Sequence, residues 1–72
     1  MPVHAQTAED YTDKGIAKVV LMDLNGAIED FNKAIELDPN FADAYNGRGS
    51  ARNLLKDFNG AMADYNKAIE LN

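Results

Sequence analysis

Lys14 and Lys18, followed by Arg48 and Arg52, are the residues of this chain best spaced to act together. Members of each pair lie four residues apart, which on a helix puts both charges on one face. The second pair repeats the first at an offset of 34 residues, so four cations form a ladder on a chain of net charge −5. Two uses of such a ladder are open. Arginine forks and lysine ammoniums are suited to hold the carboxylates of an acidic peptide. Alternatively they pair internally with Asp30 and Asp64, which recur at the same offset.

No other group of residues suggests a reaction. Glu29, Asp30, Glu36 and Glu70 are scattered at helical spacing and form no partnered acid and base. His4 is the one histidine, and there is no cysteine, so no metal site and no nucleophile–base–orienter set can be assembled. Gly47-Arg48-Gly49 is too short for a phosphate loop. The expectation is a non-enzymatic protein without cofactor or metal.

The elements that must position the ladder follow from a repeat. Asn25 to Leu37 returns almost unchanged as Asn59 to Leu71, and the same 34-residue offset carries Tyr11 onto Tyr45, Gly15 onto Gly49 and Ala17 onto Ala51. One helical unit is therefore used twice. Thr7 is placed to cap a first helix of about Ala8 to Leu21, and Asp23 a second from Leu24 to Leu37. Pro39 stops the second. Asn40 is expected to cap a third, Phe41 to Leu55, and Asp57 a fourth, Phe58 to Leu71. Apolar residues fall at steps of three and four, as in Leu24, Ala27, Ile28, Phe31, Ala34 and Ile35. Gly15 is expected to face Ala27 and Ala34, and Gly49 to face Ala61 and Ala68, where backbones approach closely. Gly47, whose counterpart is Asp13, reads as a loosened point in the third helix. Tyr11, Phe31, Tyr45 and Tyr65 read as core with hydroxyls reaching water, and Asn32 and Asn66 as exposed residues without a role. Short loops then make each helix pair antiparallel.

Seventy-two residues allow one small domain. The acidic balance argues against nucleic acid, which needs a basic footprint. No apolar run approaches the roughly 20 residues of a membrane span. Met1 to Gln6 lack the features of a secretory signal, so a soluble, cytoplasmic protein is the expectation.

The pattern of Tyr11 and Tyr45, Gly15 and Gly49, Ala27 and Ala61, Phe31 and Tyr65, Ala34 and Ala68, with Pro39 closing the unit, resembles the tetratricopeptide repeat. The resemblance implies an all-α fold of two tandem helix–turn–helix units, a short right-handed α-solenoid. Its parts are a tail over residues 1–7, a first repeat over 8–40 and a second over 41–72. It also implies a scaffold that binds a peptide or partner helix in the concave groove lined by the first helix of each unit. That groove would present Glu9, Thr12, Ile16, Val19 and Val20, then Asp43, Asn46, Ser50, Asn53 and Leu54. Its length is about 20 Å at 1.5 Å per residue, enough for a few residues of ligand. Asn46, Asn53, Arg48 and Arg52 are the expected polar contacts. Thr12, Ile16 and Gly47 stand where some members carry a carboxylate clamp, so no such clamp is expected.

Solenoids commonly need about three repeats and a capping helix. Two uncapped repeats suggest a fragment, an engineered piece, or a unit that homo-oligomerises by stacking head-to-tail or exchanging helices. Met62 and Ile69 are expected to line that self-association contact.

Overall fold

A computed structural model describes residues 6–72, so His4 lies outside the described residues. Four helices follow one another: α1 (Ala8–Val20), α2 (Leu24–Leu37), α3 (Ala42–Leu54) and α4 (Phe58–Leu71). No strand occurs among the described residues. α1 packs on α2 and α3 on α4 as two hairpins, α3 also contacts α2 and α1, and among the described helices α4 touches α3 alone. This is the tandem helix–turn–helix solenoid expected.

Local chemistry fixes most helix ends. Thr7 accepts a hydrogen bond from the Asp10 amide at 3.2 Å while Asp10 accepts one from the Thr7 amide at 3.0 Å, a reciprocal capping box. Asp23 and Asp57 accept from the amides of Gly26 and Gly60 at 3.1 and 3.0 Å. Both hairpin turns use one device. After α1, the amides of Met22 and Asp23 donate to the carbonyls of Val19 and Lys18; after α3, those of Lys56 and Asp57 donate to Asn53 and Arg52. The central residues, Met22 and Lys56, take positive φ angles of 61° and 65°. Each turn is thus a Schellman stop whose left-handed position is filled by a side chain rather than glycine.

The start of α3 differs from expectation. Asn40 does not cap it; its amide donates to Asp38 Oδ1 at 3.1 Å in an Asx turn, and Phe41 occupies the cap position without a side-chain hydrogen bond. α3 therefore begins at Ala42 and ends at Leu54, and α1 ends at Val20, one residue inside the expected limits.

Phe31 is the largest side chain wholly removed from solvent. Its ring lies between Gly15 of α1 and Gly47 of α3. A methyl group on Gly15 would come within 2.6 Å of the ring, and one on Gly47 closer still. Gly15 thus has the Phe31 ring as its nearest neighbour, and Gly47 is a packing residue rather than a loose point. In the second hairpin Gly49 meets Tyr65 and, as expected, Ala61, through its carbonyl. Around these contacts Ala27, Ala34, Ala44 and Ala51 are fully buried, so the core forms by close backbone approach more than by large side chains.

Candidate functional site

The four cations have separate fates. Arg48 makes a two-pronged contact with Asp64, its Nε donating to Oδ2 at 3.0 Å and its Nη2 to Oδ1 at 2.8 Å. Arg52 Nη1 donates to the same Oδ2 at 2.9 Å. Asp64 is only 3% exposed, and two guanidiniums offset the cost of burying its charge. Arg48 Nη1 also donates to Asn32 Oδ1 of α2 at 2.8 Å, and its guanidinium lies 5.5 Å from the centre of the Tyr45 ring. Asn32, unassigned from sequence, thus ties the first hairpin to the second.

In the first hairpin only Lys18 pairs, with its Nζ 2.9 Å from Asp30 Oδ2. That contact, against an opposing effect of burial, raises the Lys18 pKa above its ordinary 10.5. Lys14 turns away to Gln6 Oε1 at 2.9 Å and stands over Tyr11, 5.1 Å from the ring centre. Three rungs of the ladder are therefore paired with carboxylates of the chain itself. The Tyr45 hydroxyl donates to the Pro39 carbonyl at 2.9 Å, pinning the turn before α3.

Between α1 and α3 runs an open groove of about 470 Å³. It brings together five residues expected there, Glu9, Thr12 and Ile16 with Asp43 and Asn46. It adds Asp13, Phe41 and Gly47. Asp13 sits one turn beyond Glu9 on the same face, a spacing that would have identified it, and Gly47 is its counterpart in the next repeat. Phe41 enters because it is the cap of α3 rather than part of the helix. Thr12 is buried, its hydroxyl donating to the Ala8 carbonyl at 2.8 Å.

The remaining groove candidates diverge. Val19 packs against the Ala27, Phe31 and Ala51 cluster. Val20 and Leu54 are exposed, and Ser50 is half-buried; none of the three lines this groove. Asn53 borders a different hollow, with Phe58, Ala61, Met62 and Tyr65. Met62 and Ile69 lie exposed on the outer face of α4.

Among the described residues no group of three or more histidine, cysteine, aspartate and glutamate side chains could hold a metal ion. No helix among them is long and apolar enough to cross a membrane.

Residues 23–55 match the TPR repeat, and residues 42–72 match the tetratricopeptide repeat. The chain belongs to the tetratricopeptide repeat family, whose repeats are commonly protein-interaction modules on a non-enzymatic fold. α1 lies outside both matched segments. No curated protein matches the chain as a relative.

Proposed function

We propose that the chain is a protein-interaction scaffold that holds an extended, basic segment of a partner in the α1–α3 groove. One observation carries this reading: Glu9, Asp13 and Asp43 line the groove and are exposed, while no lysine or arginine lines it. Ile16 and Phe41 offer apolar contact, and the Asn46 amide can both donate to and accept from a peptide backbone. The three carboxylates are then available to accept from lysine or arginine side chains of the ligand. An acidic ligand held by Lys14, Lys18, Arg48 and Arg52 is the weaker reading. It would require Arg48 and Arg52 to abandon Asp64 inside the protein.

Calorimetric titration with two extended peptides, one alternating leucine with lysine and arginine and one with glutamate in their place, tests the choice. The basic peptide is expected to bind, more weakly as salt is raised. The double variant Asp13→Asn, Asp43→Asn should weaken it about tenfold, the loss of two exposed charge contacts. Preference for the glutamate peptide, or equal affinity in the double variant, would defeat the proposal.

A further inference from the structure

In the first hairpin α2 carries a stripe of Leu24, Ile28, Phe31 and Ile35; Leu24 is buried, and the other three pack in clusters that include Ala44 and Ala51 of the neighbouring α3. The same stripe recurs on α4 as Phe58, Met62, Tyr65 and Ile69, and nothing among the described residues covers it. These side chains are 59%, 61%, 36% and 71% exposed. α2 and α4 differ at only four of 14 positions, and three of those are on the stripe. Leu24 becomes Phe58, Ile28 becomes Met62 and Phe31 becomes Tyr65, while the fourth change replaces the charge of Glu29 by Ala63. Methionine and tyrosine suit a surface that is wet at one time and packed at another.

We infer that this stripe is the contact between two copies of the chain, packed α4 against α4 in antiparallel fashion about a two-fold axis. The stripe continues the repeat's own interhelix contact, and a contiguous apolar row on an acidic molecule marks an interaction face. Its spacing of four, three and four residues reads the same in both directions. An antiparallel pair therefore sets Phe58 opposite the partner's Ile69 and Met62 opposite the partner's Tyr65. The second pairing places a thioether against an aromatic ring, a favourable contact that the two-fold axis makes twice.

The other way to join two copies, with α1 of one taking the part of α3 against α4 of the next, is blocked by side chains. α3 meets α2 through Ala44, Gly47 and Ala51, with no room at Gly47 even for a methyl group against Phe31. At those three positions α1 carries Asp10, Asp13 and Ala17. Head-to-tail stacking would press the Asp13 carboxylate into Tyr65, and would bury Asp10, which already closes the Thr7 capping box. Association thus stops at two and leaves the α1–α3 groove open.

Sedimentation equilibrium over a range reaching about 1 mM should show monomer passing to dimer and no further, half-converted at roughly tens of micromolar, as fits a small interface. Met62→Glu, at an exposed position, should stay helical by circular dichroism and monomeric throughout. The chain lacks cysteine, which allows the geometry to be read directly. Mixed Met62→Cys and Tyr65→Cys chains should join by a disulfide on mild oxidation, whereas Met62→Cys and Asp13→Cys chains should not. A monomer at every concentration, growth beyond the dimer, or the Asp13-linked product would each overturn the inference. A dimer that persists in Met62→Glu would do the same.

Discussion

α2 and α4 are nearly one peptide in two surroundings. In α2 the stripe is core, with Phe31 held between two glycines, whereas in α4 the corresponding Tyr65 rests on Gly49 on one side and is open on the other. The charged residues show the reverse ranking. Asp64 of α4 is buried between two arginines, while Asp30 of α2 has one lysine. The first hairpin is therefore held mainly by packing against its neighbour. The second, which α3 alone supports, relies more on an ionic clasp between its own helices. An identical motif can thus be structural in one copy and available for binding in the next, according to which helix lies beside it.

The sharpest way to break this comparison is to truncate both aromatic residues. Phe31→Ala should cost about 3–5 kcal/mol, as much as a domain of this size is expected to have, and leave the chain largely unfolded. Tyr65→Ala in dilute solution should cost less, about 2 kcal/mol, because the residue is already 36% exposed. Urea denaturation followed by circular dichroism measures both, and equal losses would erase the distinction.

The ionic pairs should rank in the opposite order. Asp64→Ala leaves two arginines facing an empty site and should cost about 3 kcal/mol. Asp30→Ala breaks a pair whose lysine is half-exposed and should cost far less than the loss of Asp64. Denaturant midpoints of the two variants would expose any reversal.

A smaller effect separates the two pairs by pH. Because the folded-state pKa of Lys18 is raised above 10.5, its pairing contributes fully below that value and is lost as pH climbs through the higher folded value. Lys18→Met should remove this alkaline component from the pH dependence of stability. Arg48→Met should leave it in place, since that substitution does not touch the Lys18–Asp30 pair.

What was legible in the sequence follows the range of the forces involved. The caps at Thr7, Asp23 and Asp57 and the limits of α2 and α4 depend on residues three or four apart, and each could be read directly. Gly47 could not, because its partner Phe31 belongs to the other repeat and the contact exists only once α3 crosses α2. Asn32 was hidden for the same reason, since it reaches Arg48 across that crossing. In the groove, Glu9, Ile16, Asp43 and Asn46 were expected from the family pattern, whereas Asn53 borders another hollow and Val19 packs on the Ala27, Phe31 and Ala51 cluster.

Hydrogen exchange of α2 and α4, measured at micromolar and near-millimolar protein, tests the central claim most directly. The account predicts strong protection of α2 at both concentrations and weaker protection of α4 that rises with concentration as the stripe is covered. Protection of α4 equal to that of α2 at high dilution, or unchanged between the two concentrations, would contradict it.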